Sequence, residues 1–81
     1  MQVTVRFFAA LKDIAGADLF EIEVADGTTL AAVLDDFELR FPALSEYRGR
    51  VLTSCNLEYV KEDAVLASGD EIAIFPPVSG G

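Results

Sequence analysis

Few side chains in this sequence suit covalent or acid–base chemistry, and their spacing argues against most of the usual machinery. None of the 81 residues is a histidine, which removes the commonest physiological-pH proton shuttle and metal ligand. Cys55 is the sole cysteine, so it offers no internal disulfide, no thiolate zinc cage and no cysteine–histidine pair. Set in a strand-like segment, it reads as a small half-buried residue rather than a reactive thiol. Asp35-Asp36 and Glu62-Asp63 are adjacent carboxylates, but neighbours along a helix do not face one another, so they read as solvated surface. Arg48 and Arg50 flank a glycine and read as loop residues that offset nearby carboxylates rather than bind an anion. The glycines stand apart except at the end, so no phosphate-cradling loop is formed, and no metal site is expected.

The chemically unusual stretch is Phe75-Pro76-Pro77-Val78-Ser79-Gly80-Gly81. Pro76 and Pro77 lack backbone donors and favour an extended path, so they end a strand and stiffen the arm that leaves it. Gly80 and Gly81 carry no side chains, which lets the tip enter a channel too narrow for any Cβ. The group presented there is the α-carboxylate of Gly81. A frayed end or an appended remnant is the bland alternative, and it fits poorly behind a Pro-Pro step that leaves a strand directly.

The elements that position this tail are set by periodicity. Val3, Val5 and Phe7 alternate with Thr4, Arg6 and Phe8, the period of a half-buried strand. Leu11, Ile14 and Ala15 suit a short helix stopped by Gly16. Phe20, Ile22 and Val24 alternate with Glu21, Glu23 and Ala25 as a second strand, and Asp26-Gly27 turns the chain. Thr28 or Thr29 caps a helix whose stripe is Leu30, Val33, Leu34, Phe37 and Phe41, closed by Pro42. Arg48-Gly49-Arg50 is expected to be a loop. Strand segments are expected over Val51 to Asn56 and Leu57 to Val60, with turns at Glu62-Asp63 and Ser68-Gly69-Asp70. A last strand covers Glu71 to Phe75, with Ile72 and Ile74 inward. A sheet wrapped around one main helix buries both apolar sets in one core. The expected fold is therefore α+β, the ubiquitin-like β-grasp with a mixed sheet, in residues 1–75, with an extended tail over 76–81.

Fourteen acidic against six basic residues give a formal charge of −8, the wrong sign for binding phosphate backbones, so no nucleic acid is expected. Basic protein partners suit it better. The 52% hydrophobic content argues against disorder. No run approaches the ~20 apolar residues of a membrane span, and Arg6 and Lys12 interrupt the opening apolar stretch, unlike a signal peptide. A cytoplasmic location without membrane association is the expectation. Phe8, Tyr59 and Phe75 all fall opposite the inferred core, as docking anchors on an exposed face would.

Val5-Arg6-Phe7-Phe8-Ala9 with Leu11, Ile14-Ala15-Gly16, the central helix, Leu66, Gly69-Asp70-Glu71 and above all the last seven residues resemble the small subunit of molybdopterin synthase, the MoaD family of ubiquitin-like sulfur carriers. The resemblance spans the whole chain. It implies that the Gly81 carboxylate is adenylated with ATP by an E1-like, MoeB-like enzyme and converted to a thiocarboxylate. It further implies docking on a MoaE-like large subunit in a heterotetramer, with Pro76, Pro77, Val78, Ser79 and Gly80 threaded into that subunit's active site. There the sulfur would pass to cyclic pyranopterin monophosphate to build the dithiolene of molybdopterin, in two rounds. The carrier then holds no cofactor stably and is no enzyme on its own. A terminal Gly-Gly also suits a carrier for thiamine or tRNA thiolation or a protein modifier, and a plain ubiquitin-like binding module is the alternative without tail chemistry.

Overall fold

The alternation around Val5 produces strand β1, Gln2–Phe7, with Val3, Val5 and Phe7 buried in a computed structural model that describes residues 1–77. A short helix, α1 (Ala10–Ala15), comes next and ends on Gly16 at φ 79°, a left-handed conformation that suits glycine. The hairpin partner β2 (Leu19–Glu23) runs antiparallel to β1. Thr29 then caps α2 (Leu30–Arg40), its hydroxyl accepting the Ala32 N–H at 3.3 Å, a contact that stabilises a helix start by about 1 kcal/mol.

Leu30, Val33, Leu34 and Phe37 are the buried stripe of α2, and Phe37 packs edge-on against both Phe7 and Phe20. Pro42 does stop the helix, and a 3-10 turn (Pro42–Glu46) sends Leu44 into the core. Arg48–Arg50 is a second 3-10 turn, not the irregular loop expected from its glycine. The reason is tertiary: the Arg48 guanidinium is held by carboxylates of α2 and of the Glu62-Asp63 turn. Strands β3 (Leu52–Cys55) and β4 (Glu58–Tyr59) form a hairpin through Asn56 and Leu57, both at positive φ (52° and 73°). Leu57 therefore belongs to the turn rather than to a strand, because two left-handed residues match the strand twist in a two-residue hairpin.

Strand β5 (Glu71–Phe75) completes a mixed sheet of order β2-β1-β5-β3-β4, with β5 parallel to β1 and antiparallel to β3. The sheet curls around α2 in the β-grasp, ubiquitin-like arrangement. Its inner face carries Val3, Val5, Phe7, Ile72 and Ile74 against the helix stripe, together with Leu11 and Leu66. The site of interest lies on the other face, where β5 delivers the chain into Pro76.

Candidate docking face and carrier tail

Register places the outward residues in rows. Arg6 pairs with Ala73, and Ala73 with Ser54, and Ser54 with Tyr59, all on the face away from α2, although Ser54 itself is buried. One row nearer the tail, Phe75 lies across from Leu52. Phe8 stacks on Phe75 with ring centroids 4.5 Å apart and planes 16° from parallel. Phe8 and Leu52 are 39% and 41% exposed, and Phe75 is half-buried between them. An apolar patch thus sits at the root of the tail, immediately before Pro76 and Pro77. Both prolines are half-buried, while Val78, Ser79, Gly80 and Gly81 lie outside the described residues.

Tyr59 shares this face and is 77% exposed, but it lies in the Ser54 row and takes no part in the Phe8–Phe75 stack. Leu52, by contrast, belongs to the patch and sequence reasoning passes over it. A signal for it exists: it alternates with Thr53, which the register places opposite Ile74 on the inner face. Local structure helps aim Phe8. Ala9, just after it, has φ 53° and ψ −127°, a conformation L-residues rarely adopt, so the chain turns sharply into α1 and leaves Phe8 on the sheet surface.

The remaining candidate side chains are structural. Arg48 Nη1 donates to Asp35 Oδ1 at 2.7 Å and Glu38 Oε2 at 2.9 Å, Nη2 donates to Glu62 Oε1 at 2.8 Å, and Nη2 also reaches the Ala31 carbonyl at 3.3 Å. These contacts, with the Glu62 hydrogen bond first, hold its guanidinium protonated even more firmly than usual. The arginine ties α2, its own 3-10 turn and the Glu62-Asp63 turn together. Replacing it, Arg48→Met, leaves three carboxylates facing one another. Because Asp35 remains open to solvent, we expect a loss of about 2 kcal/mol, less than for a fully buried cluster. Added salt should restore part of it by screening the repulsion. Thermal melts of both proteins at low and high salt check this, and a salt-independent difference would contradict it.

Arg50 donates to the Glu46 carbonyl at 2.7 Å and lies over the Tyr47 ring, and Arg40 pairs with Asp36. Asp70 accepts the Ala67 N–H at 2.7 Å and the Asn56 amide at 2.9 Å, which hold its carboxyl below the usual range. Burial pushes the Cys55 thiol up to about 11, with the nearby Asp70 and Glu58 carboxylates acting in the same direction. At pH 8 its thiolate population is then about 100-fold below that of an unperturbed thiol. Iodoacetamide should alkylate Cys55 about 100-fold faster in denaturant than in the native protein, as followed by mass spectrometry. Equal rates would show a reactive thiol.

The partly open pocket lined by Leu44 and Arg48 measures about 20 Å³, room for about one water. No substrate fits there. Beside the tail, the described residues offer a partner the patch of Phe8, Leu52 and Phe75 and the stiff step that leaves it.

Comparison with known proteins agrees with this geometry. The pattern defining the ThiS family matches residues 5–81. The chain is 35% identical over 81 residues to the molybdopterin synthase sulfur carrier subunit of Arabidopsis thaliana, covering 100% of this chain and 84% of that protein. Among solved structures it is similar to SAMP1 from Haloferax volcanii, with 31% identity, 100% of both chains covered and a TM-score of 0.86. It is also similar to a chain in the complex of subunits 1 and 2 of molybdopterin-converting factor from Helicobacter pylori, with 28% identity, 100% of both chains and a TM-score of 0.69.

Proposed function

Because the chain belongs to the ThiS family, and within it to the molybdopterin synthase sulfur carrier subunits, we propose that its Gly81 carboxylate is the group that carries the sulfur. The observation that supports this most directly is the stacked Phe8–Phe75 pair beside Leu52, an apolar platform at the base of the tail. A partner gripping that platform holds the strand end while the tail reaches into its active site.

A carboxylate is a poor acyl donor until one oxygen becomes a good leaving group. In the proposed sequence that oxygen attacks the α-phosphorus of ATP on an E1-like, MoeB-like enzyme, and pyrophosphate leaves. Hydrosulfide from a sulfur source then attacks the acyl carbon and AMP departs, so Gly81 ends in a thiocarboxylate. Docked on a MoaE-like large subunit, this sulfur attacks cyclic pyranopterin monophosphate, water cleaves the resulting acyl–sulfur bond to restore the Gly81 carboxylate, and two rounds complete the dithiolene of molybdopterin. Phe8 and Phe75 serve docking in both encounters, with Tyr59 at the margin. Pro76, Pro77, Val78, Ser79 and Gly80 thread the tail, and the acid–base and phosphate-binding groups belong to the partners. The setting proposed is cytoplasmic.

Intact-mass analysis of the protein, incubated with the activating enzyme, ATP and a sulfur source, should show one oxygen replaced by sulfur. A product that remains carboxylate would sink the carrier reading. The likeness to SAMP1, a small archaeal modifier protein, favours a second reading, a ubiquitin-like modifier. Isopeptide-linked Gly81 on lysines of other proteins, without molybdopterin formation when thiocarboxylated protein meets the pterin and large subunit, would select it.

A further inference from the structure

At the opposite edge of the sheet, β2 has a side that pairs with no strand among the described residues. Phe7 donates its N–H to the Asp18 carbonyl at 3.0 Å and Val24 donates to the Met1 carbonyl at 2.8 Å, while Val5 pairs with Phe20 and Val3 with Ile22. In an antiparallel ladder the bonded positions alternate, so Asp18, Phe20, Ile22 and Val24 bond to β1. Leu19, Glu21 and Glu23 therefore turn their backbone N–H and C=O groups away from the sheet. Beside this edge, between β2 and α2, runs an open groove of about 530 Å³ walled by Ile22, Val24, Ala32 and the largely buried Val33, with Arg40 also in the wall but neutralised by its ion pair with Asp36 at 3.0 Å.

We propose that this groove takes an extended basic segment of a protein partner, added to β2 as a sixth strand. The pleat dictates its sequence pattern. Residues opposite Phe20 and Ile22 point inward, over Ile22, Val24 and the Ala32–Val33 surface of α2, and must be apolar. Residues opposite Glu21 and Glu23 point outward beside two exposed carboxylates, whose contacts within the chain are the Gln2 amide donating to Glu21 at 3.3 Å and the Met1 ammonium 3.6 Å from Glu23, and must be Lys or Arg. The occupant is thus an alternating apolar–basic strand, matched to a chain of formal charge −8. A second copy of this protein is disfavoured, because antiparallel pairing of two β2 edges sets Glu21 and Glu23 against their own counterparts. The groove is formed by β2 and α2, whereas the tail patch lies on the outer face across β1, β5 and β3, so both can be occupied at once. This inference does not depend on the carrier reading.

The test is titration of the ¹⁵N-labelled full chain with an alternating valine–lysine peptide of about eight residues, long enough to span β2. Amide shifts should gather at Leu19, Glu21, Glu23, Ala32 and Val33, and the amide hydrogens of Leu19, Glu21 and Glu23 should exchange more slowly. The double variant Glu21→Lys, Glu23→Lys should weaken binding about tenfold with an unchanged circular dichroism spectrum. Ala32→Arg, which fills the groove from an exposed helix position, should weaken it as well. The proposal is overturned if shifts gather instead at Phe8, Leu52 and Phe75, or if no shift appears at millimolar peptide. It is equally overturned if a peptide of the same composition in lysine and valine blocks binds as well, or if the groove closes by dimerisation of the chain.

Discussion

Deletion of Gly81 is expected to abolish thiocarboxylate formation while moving the melting temperature by no more than about 4 °C. The expectation for activity is categorical because the proposed reaction uses the terminal carboxylate itself, and no side chain of this protein substitutes for it. Shortening by one residue would also withdraw the new terminus by about 3.5 Å, well outside the tolerance for attack on an activated phosphate. The expectation for stability rests on the core, whose buried members run from Val3 to Ile74. Changes away from such packing stay within about 0.5 kcal/mol, which for a domain of this size corresponds to the small shift stated. Mass spectrometry after incubation with the activating enzyme, paired with a thermal melt, reads both quantities. A truncated protein that still gains sulfur would refute the role of Gly81, and one that melts far lower would show the end residue to be part of the fold.

Phe75→Asp should weaken binding to the large subunit by about 100-fold. Phe75 is half-buried against Phe8 and Leu52, so the substitution removes the stacked ring and places a charge in the middle of the patch. Loss of one central aromatic anchor commonly costs about 2 kcal/mol or more, and the desolvated carboxylate adds to it. Because β5 is the central strand, some stability will be lost too. Phe8→Ser is the companion variant: it leaves β5 intact and should still weaken binding by about tenfold. Tyr59→Ser, in the neighbouring row, should matter less. Calorimetric titration with the large subunit measures all three, and equal affinities across the series would place the docking surface elsewhere.

Legibility in the sequence differs by element. Strands β1, β2 and β5 and helix α2 repeat their apolar residues at periods of two and 3.6 over five or more positions, so local patterning alone locates them. Gly16 and Pro42 mark helix ends because their backbone constraints act whatever surrounds them. The 3-10 turn at Arg48–Arg50 is not legible, since it depends on carboxylates 10 to 14 residues away in sequence. Nor is the turn at Leu57, a β-sheet-compatible residue forced to positive φ by hairpin geometry. Cys55 and the paired carboxylates read as unreactive from sequence, and the structure makes the reasons concrete: burial raises the thiol, and Arg48 engages Asp35 and Glu62.

The chemistry-bearing residues divide in the same way. By itself the sequence determined that no histidine is available to activate a serine or cysteine, that the chain is acidic, and that a stiff Pro-Pro step leads to Gly80-Gly81, because composition and covalent order do not depend on folding. Only the tertiary structure decided which exposed residues share a face. Phe8 and Phe75 are 67 positions apart and Leu52 lies between them in sequence, yet the parallel pairing of β1 with β5 and the antiparallel pairing of β3 with β5 bring them to one patch. Cross-strand register is set by which apolar side chains reach the common core, a condition on all strands at once that no single segment of sequence contains.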